Sequence, residues 1–405
     1  MKRCVKRWLA TGLGMVTLMG AGLMGLSNSL PDTFSVSQGQ TLQLAQLPWL
    51  VPLRASGVQE TSRAESGSSY NVTLSILGII PVKTVRAMVV QERTVTICGT
   101  PFGIKMFSEG AMVVGFTDVS QLVGSANPAK AAGLKLGDRI LALNGVETST
   151  NEDVAKVIQS SQGQPVEVTY HRDGQIKHTI LSPLQDHQSK RWLAGMWVRD
   201  SSAGIGTLTF VDNSTGMYGG LGHAISDADT GESIALRTGE ISPVTITGVV
   251  LGTAGTPGEL KGQFSGALSL GNILSNGASG VYGRYYAVAD GQDYPVSNAQ
   301  QVHKGEALIL TTIQGETPQM YQAVIERVSL SEEDPNRNMV IRITDQRLLS
   351  ATGGIVQGMS GSPVIQDGRW VGAVTHVLVN DPTRGYGIFA EHMLSTADYA
   401  ASSQN

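Results

Sequence analysis

One serine in this sequence stands in a setting that favours nucleophilic chemistry. Ser360 lies in the stretch 353–363, GGIVQGMSGSP, between Gly358 and Gly361. Glycines on both sides permit a tight bend and leave backbone N–H groups unshielded beside the hydroxyl, as an oxyanion hole requires. We therefore predict that Ser360 is the nucleophile of a serine endopeptidase, and that the amides of Gly358 and Ser360 form the oxyanion hole. A Gly/Ser-rich hairpin loop without chemistry is the alternative interpretation.

A serine hydroxyl is almost entirely un-ionised at neutral pH, so a neighbouring base must accept its proton. Histidine suits that role best, since its pKa lies closest to neutrality. Among the seven histidines, His223 follows a glycine-rich run that leaves room for its ring to face a cleft, and we predict it as the general base. His376, 16 residues after Ser360, falls on a returning strand and is our candidate for the wall of a specificity pocket. A purely structural role for His223 is the alternative.

The group that orients the imidazole is less well defined. Asp345 follows a strand-like run and precedes Ser360 by 15 residues, which makes it the predicted acid. A Ser-His pair, with backbone or water in the third role, stays open. So does a metal site built from His223, Asp227 and Asp229, although no further His or Cys joins it, and we predict no metal and no cofactor. The acidic residues that enter the choice are Asp227, Asp229, Asp290, Asp293, Asp334 and Asp345.

Short strands and tight turns must position these groups. The segment 364–374 has the pattern of two strands joined by an Asp367-Gly368 turn, which would hold Ser360 against a barrel wall. With 49 glycines and only 7 phenylalanines in 405 residues, the composition favours short strands over helix bundles. We predict a mainly β protein whose last domain, 190–400, is a trypsin-like double β-barrel serine peptidase with its catalytic cleft between the barrels.

A different pattern occupies residues 99–186. The run NPAKAAGLKLGDRILALNG at 127–145 resembles the bacterial PDZ domain, and apolar spacing predicts a helix over 151–160. The resemblance implies a groove between a strand and that helix, which takes an extended peptide by strand addition. A PDZ fold used only as an intramolecular brace is the alternative. The backbone contacts to the peptide would come from Gly103, Ile104 and Lys105.

The first 29 residues predict a signal sequence or signal anchor. Four basic residues lie within the first seven positions, and no charged residue follows until Asp32. The segment 8–26 is apolar, small or Thr and is long enough to cross a membrane; a buried core helix is the alternative. Residues 30–98 are predicted to be a linker and a small β-rich element, with strands near 70–77, 80–90 and 94–97. The net charge of -4 gives no broad footprint for nucleic acid.

Further motifs lie in the last domain. They are 222–227 (GHAISD), 252–260 (GTAGTPGEL), 344–349 (TDQRLL), the loop 353–363 and 373–387 (AVTHVLVNDPTRGYG). Together with the PDZ block and the N-terminal segment, they resemble the stage IV sporulation protein B family, signalling serine peptidases of spore-forming bacteria. The resemblance implies that Ser360 is the nucleophile, His223 the base and Asp345 the acid.

The same resemblance implies a place and a role. It implies export from the forespore into the space between two membranes and self-cleavage near the N-terminus. It also implies cleavage of a membrane-bound regulatory protein, which restrains an intramembrane metalloprotease that acts on a mother-cell sigma factor. The expected partners are protein or peptide substrates, including the chain itself, and the membrane through the N-terminal segment, but not nucleic acid. A membrane-tethered PDZ adaptor with a catalytically inactive protease fold is the competing function.

Overall fold

The computed structural model describes residues 21–54, 66–227, 230–266, 268–331 and 333–403. The protein is mainly β, as the sequence predicts. The strands are β1 (Thr33–Ser37), β2 (Leu50–Arg54), β3 (Ser69–Ile76), β4 (Ile80–Val90), β5 (Thr94–Ile97), β6 (Pro101–Phe116), β7 (Val119–Ser120), β8 (Ser125–Ala126), β9 (Arg139–Leu143), β10 (Val146–Glu147), β11 (Val166–Arg172), β12 (Gln175–Leu181), β13 (Leu184–Gln185), β14 (Trp192–Leu193), β15 (Met196–Asp212), β16 (Met217–Gly220), β17 (Leu236–Val250), β18 (Glu259–Phe264), β19 (Gly271–Asn272), β20 (Ser275–Gly277), β21 (Gly280–Arg284), β22 (Gln292–Pro295), β23 (Gly305–Thr311), β24 (Gln319–Val328), β25 (Met339–Ile343), β26 (Pro363–Gln366), β27 (Arg369–Val377) and β28 (Arg384–Phe389).

Helices are few. They are Pro128–Ala131, Asn151–Ser160, Gln346–Thr352 and Ala390–Ser402, together with residues 21–28 and the 3₁₀ turns Ala299–Gln301 and Pro335–Arg337. None of the helices within the described ranges is long and apolar enough to cross a membrane. Most of the predicted signal or anchor segment, residues 1–20, lies outside those ranges.

The N-terminal element is a four-stranded sheet in the order β1-β4-β3-β2. Its strands β3 and β4 confirm the strands predicted near 70–77 and 80–90. Phe34 and Leu74 are buried, and the sheet shares one hydrophobic core with the last barrel. The predicted strand at 94–97 also forms, as β5, but it pairs with β15 and β22 of a larger sheet, so it belongs to the peptidase part of the molecule.

Two long strands join the PDZ unit to the peptidase. β6 has 16 residues and β15 has 17, and they pair antiparallel from Met196 opposite Phe116 to Thr207 opposite Pro101. The N-terminal half of β6 and the C-terminal half of β15 lie in the peptidase sheet, while their other halves lie in the PDZ unit. The sequence predicts two separate barrels in the last domain. The structure instead has one closed barrel and a 14-stranded sheet that continues into the PDZ unit.

The predicted PDZ helix is confirmed as Asn151–Ser160. It begins with a capping box: the Thr150 hydroxyl accepts the Asp153 N–H at 3.1 Å, and the Asp153 carboxylate accepts the Thr150 N–H at 2.9 Å. Val154 and Ile158, four residues apart on one face, are buried in the PDZ core. The spacing of apolar residues therefore explains both the helix and its orientation.

The predicted peptide-binding strand is corrected by the pairing of β6. Gly103 pairs with Ile205 on one side and with Ser242 of β17 on the other, and Ile104 and Lys105 are likewise paired on both sides. Strand addition needs a free edge, and this part of β6 has none. The strand that lies beside Val113 in the PDZ unit is the start of β15, at 196–199. Gly103, Ile104 and Lys105 are therefore structural residues of the peptidase sheet.

The last barrel is closed by six strands in the order β23-β24-β25-β28-β27-β26. β26 and β27 form the predicted hairpin, and its turn residues Asp367 and Gly368 both have positive φ, 51° and 72°. The helix Ala390–Ser402 follows β28 and buries Met393 and Ala397 against both the barrel and the large sheet. The glycine-rich loop predicted to carry the nucleophile connects the helix Gln346–Thr352 to β26.

Candidate active site

The loop that carries Ser360 is wedged between the large sheet and the closed barrel. The Ser360 carbonyl accepts the N–H of Thr207 on β15 at 3.0 Å, and the Gly361 N–H donates to the Val374 carbonyl on β27 at 2.8 Å. Gly361 has φ 94°, and a β-carbon there would lie 2.1 Å from the Thr207 carbonyl oxygen. Only glycine fits this position, because any side chain would push the sheet and the barrel apart.

The carbonyl groups around Ser360 are all hydrogen-bonded. Their donors come from the large sheet and from the loop itself. The Gln357 carbonyl accepts the Leu260 N–H, and the Gly358 carbonyl accepts the Thr207 hydroxyl. The Met359 carbonyl accepts both the N–H and the hydroxyl of Ser362. The Ser360 carbonyl accepts the Thr207 N–H, and the Gly361 carbonyl accepts the Thr209 hydroxyl. Each carbonyl of the loop from 357 to 361 is therefore held in place by at least one hydrogen bond.

Two amide groups of the loop are left open. Among the described residues, neither Gly358 N–H nor Ser360 N–H donates to an acceptor, whereas those of Gln357, Met359 and Gly361 do. A trans peptide directs its N–H opposite to its carbonyl, so holding the Gln357 and Met359 carbonyls orients both open amides. Two unsatisfied amides beside a hydroxyl are the donor set that an oxyanion needs.

The two serines of the loop differ in accessibility. Ser362 is fully buried, and its hydroxyl bonds to Met359 O and to the Thr311 hydroxyl. Ser360 is only partly buried, and its Oγ donates to the Thr375 carbonyl at 2.7 Å. The serine that a substrate can reach is thus Ser360. Its hydroxyl is turned towards the backbone of β27 and must rotate about χ1 to act as a nucleophile.

His223 lies in the loop after β16 with its ring largely desolvated. Its Nδ1 is 2.8 Å from the carbonyl oxygen of Ala224. A carbonyl oxygen only accepts, so in the neutral ring Nδ1 carries the proton and Nε2 carries the lone pair. This is the tautomer in which Nε2 can take a proton from a serine. The group in contact with Nδ1 is a backbone carbonyl, and no hydrogen bond between the described carboxylates and this ring is present.

The rings of His223 and His376 are stacked. Their centroids lie 4.6 Å apart with 33° between the planes. His376 directly follows Thr375, whose carbonyl accepts the Ser360 hydroxyl. A β-carbon on Gly222 would lie 2.8 Å from the Thr375 side chain, so the His223 loop also touches β27. The structure therefore places His223 against His376, next to the residue whose carbonyl accepts the Ser360 hydroxyl, where the large sheet meets the barrel.

Burial sets the electrostatics of the two imidazoles. It lowers the pKa of His223 below its ordinary value of 6.5, because desolvation penalises the charged form. The pKa of His376 falls to about 4, first through desolvation and then through the like charges of His223 and Arg337. Both rings are therefore neutral at neutral pH, as a general base must be.

The lowered pKa of His223 predicts that the acid limb of the pH profile of kcat/KM is shifted to lower pH. If neutral His223 is required, kcat/KM falls with acidification with an apparent pKa below 6.5, and the plateau extends further down than for an exposed histidine. His376→Ala should move that apparent pKa upwards, because water then reaches the His223 ring. The measurement is the pH profile of kcat/KM for the parent and the variant. An unshifted profile in His376→Ala would contradict the role assigned to ring stacking.

Asp345 lies at the start of the helix Gln346–Thr352. Its buried carboxylate accepts the N–H groups of Arg347 and Gln322 and pairs with the Arg347 guanidinium at 2.8 Å. The bond from Arg347 holds the pKa of Asp345 well below its ordinary value. None of the hydrogen bonds that Asp345 makes within the described ranges comes from His223. The structure therefore gives Asp345 a helix-capping position and does not join it to the imidazole.

The other acidic candidates are also engaged elsewhere or lie apart. Asp227, a member of the alternative metal site, pairs with Arg199 at 2.8 Å, and Asp229 lies outside the described residues. Asp293 accepts the Thr96 hydroxyl, and Asp290 is exposed. Asp334 pairs with Arg337, and its charge reaches His376.

Sequence reasoning missed the residues that hold the nucleophile loop. Thr207 and Thr209 lie far from Ser360 in an ordinary strand pattern, and Leu260 ends the 252–260 motif, which gives no sign of a contact with the Ser360 loop. Their contribution arises only from how β15 and β18 meet the loop. Ser362 is part of the GMSGSP motif, but the sequence does not show that it is buried and that its hydroxyl holds the Met359 carbonyl.

Comparison with known proteins identifies the family of the chain. The family model for SpoIVB peptidase S55 matches residues 190–394, just over half of the chain, and a PDZ domain model matches residues 89–181. The fold and the site define a serine peptidase that carries a PDZ domain. Within that class, the chain belongs to the SpoIVB peptidase S55 family.

Individual relatives match shorter parts. The zinc metalloprotease RasP of Geobacillus kaustophilus is 27% identical over 100 residues, covering 23% of this chain and 24% of the relative. RasP of Shouchella clausii is 37% identical over 67 residues, 16% of each chain. This chain thus spans about a quarter, or less, of the length of these curated relatives. The active form of the Rv3671c protease from M. tuberculosis aligns with TM-score 0.29 and 15% identity, over 49% of this chain and 74% of that one.

Proposed function

We propose that this protein is a serine endopeptidase in which Ser360 is the nucleophile, His223 the general base and acid, and the N–H groups of Gly358 and Ser360 the oxyanion hole. The observation that carries the proposal is the hydrogen bonding of the loop around Ser360. The carbonyls from 357 to 361 are all hydrogen-bonded, and the two open amides among the described residues of the loop are those of Ser360 itself and of Gly358, two residues before it.

The reaction follows from these positions. The Ser360 hydroxyl rotates from the Thr375 carbonyl and attacks the substrate carbonyl carbon, while its proton passes to Nε2 of His223. The C–O bond forms and the carbonyl π electrons move to oxygen, which the two open amides stabilise. When the tetrahedral intermediate collapses, the C–N bond breaks and His223 gives its proton to the leaving amine. Water then hydrolyses the acyl-enzyme with His223 as base.

We assign the third role to the Ala224 carbonyl, which supports the Ser-His pair over a triad with Asp345. Asp345→Asn should then change kcat less than about tenfold, whereas a triad carboxylate would cost about 10⁴-fold. The variant should instead lose about 1 kcal/mol of stability at neutral pH, because the bonds to Arg347 weaken. Steady-state kinetics and urea unfolding measure the two effects.

The sign of the stability effect provides a control. The pKa of Asp345 is lower in the folded protein than its ordinary value of 3.8. The charged carboxylate therefore stabilises the protein at pH values above 3.8, and this stabilisation is lost as the pH falls towards the folded-state pKa. The difference in unfolding free energy between the parent and Asp345→Asn should therefore shrink under acidic conditions. A difference that stayed constant with pH would show that the carboxylate charge is not its source.

We further propose that the enzyme acts in sporulation signalling. In this proposal it is exported by its N-terminal segment towards the forespore intermembrane space and cleaves itself near the N-terminus. It then cleaves a membrane-bound regulatory protein of an intramembrane metalloprotease, which activates a late mother-cell sigma factor. Membership of the SpoIVB peptidase S55 family and the basic-then-apolar N-terminus support this role. The test is a mass map of the N-termini produced by the parent and by Ser360→Ala in sporulating cells.

The adaptor alternative is favoured by one observation, that the Ser360 hydroxyl donates to the Thr375 carbonyl and not to His223. A fluorophosphonate probe separates the two functions when a substrate is present. Covalent label that disappears in Ser360→Ala supports the enzyme. Folded parent protein that stays unlabelled with substrate present supports the adaptor.

A further inference from the structure

We infer that Ser362 is a positioning residue that orients the Ser360 N–H into the oxyanion hole. The inference rests on the proposed peptidase function and adds to it a specific role for the second serine of the loop. Ser362 has no exposed surface, so it touches no substrate, and its effect must pass through the peptide group it holds.

The Met359 carbonyl is the point of action. It accepts two bonds from Ser362, one from the hydroxyl at 2.6 Å and one from the N–H at 2.9 Å. The same peptide group carries the Ser360 N–H, and a planar trans peptide directs that N–H opposite to the carbonyl. Fixing the Met359 oxygen on the barrel side therefore directs the Ser360 amide to the cleft. The N–H bond alone leaves the peptide one anchor, and the hydroxyl supplies the second.

Thr311 completes the arrangement from the end of β23. Its hydroxyl lies 2.9 Å from the Ser362 oxygen, and Thr311 is also fully buried. The Ser362 hydroxyl is the donor in its contacts with both Met359 O and the Thr311 hydroxyl, so Thr311 is a second acceptor that helps to fix the Ser362 side chain. The Ser362 hydroxyl is thus held between two buried acceptors, Met359 O and the Thr311 hydroxyl.

The flanking peptide groups are fixed independently. The Thr207 hydroxyl holds Gly358 O at 2.9 Å and the Thr207 N–H holds Ser360 O at 3.0 Å. Among the described residues, no group of the large sheet donates to the carbonyl of the peptide that joins Met359 to Ser360, so this peptide depends on Ser362. Ser362 is therefore the side chain whose loss leaves the rest of the loop anchored while loosening the oxyanion amide.

The test compares Ser362→Ala with the parent on a peptide that spans the N-terminal cleavage site found in the mass map of the parent. We expect kcat to fall by about ten- to a hundredfold, less than the loss of a whole oxyanion donor, with KM within about twofold. Affinity for a boronate analogue of that peptide should fall by the same factor as kcat. A purely structural role would not link these two losses, since only a transition-state contact affects both.

Two threonines provide a matched pair. Thr311→Val removes the second partner of the Ser362 hydroxyl, so the Ser362 side chain is held less firmly and kcat should fall in the same direction, by about threefold. Thr312→Val removes a neighbouring buried hydroxyl that bonds to Gly99 O at 3.1 Å, away from the loop, and should leave kcat unchanged. If Ser362→Ala does not fold, the Thr pair still decides the matter.

Failure of this inference is distinguishable from failure of the proposed function. Ser360→Ala that still hydrolyses the peptide overturns the function itself. Ser360→Ala that is inactive, together with parental kcat and boronate affinity in Ser362→Ala or Thr311→Val, overturns only the positioning role.

Discussion

Ser360→Ala should reduce peptide hydrolysis by at least about a thousandfold and abolish self-processing, while the protein stays folded. The nucleophile of a serine peptidase forms the covalent intermediate, and no other hydroxyl in the described loop is accessible to replace it. The substitution removes only the bond from Oγ to Thr375 O, so the loop keeps its backbone anchors. The measurement is kcat/KM on the processing-site peptide, with the unfolding midpoint recorded in parallel.

Contamination is the main hazard in that experiment, because an active copy can process an inactive one. The variant should be produced in a host without the parent gene, and parent protein added back should restore cleavage. Ser360→Ala that processes itself alone, at a rate independent of concentration, would contradict the assignment. A variant that fails to fold would show a shifted unfolding midpoint and would call for Ser360→Gly instead.

Local signals explain how much of the molecule the sequence predicts. The spacing of apolar residues and the Thr150 cap predict the helix Asn151–Ser160, and the Asp367-Gly368 turn predicts the β26–β27 hairpin. The residues that determine each element lie within about a dozen positions of one another, so each element can be predicted without knowing the fold. The accessibility of Ser360 is predicted for the same reason, since the glycines on either side act on its own backbone.

Long-range pairing explains what the sequence does not reveal. Gly103 to Lys105 lie where a PDZ binding strand is expected, yet β6 continues unbroken into the peptidase sheet and is paired on both edges there. The local sequence pattern of a strand does not indicate which of its two edges will pair with other strands in the fold. The same limit applies to Asp345, whose position before the loop suggested an acid, whereas Arg347 and the helix start engage it.

β15 links these long-range effects in one element. Its first residues line the PDZ unit beside Val113, and Thr207, near its other end, holds two carbonyls of the nucleophile loop. A strand paired along most of its length is stiff, so the PDZ unit serves as a rigid extension of the catalytic scaffold. The brace interpretation of the PDZ fold gains support from this continuity.

His223→Ala should lower kcat/KM by a factor as large as that of Ser360→Ala, because without a base the hydroxyl is not activated. The two residues act as one unit, so the double variant should be no slower than either single variant. The fluorophosphonate reaction gives an independent readout, since it also needs an activated serine and should slow in parallel. The matched control is His303→Ala, which removes an exposed imidazole that pairs with Asp367 at the barrel surface and should leave the rate unchanged. Losses that added in the double variant would mean that His223 and Ser360 act in separate steps, and the Ser-His mechanism would then be wrong.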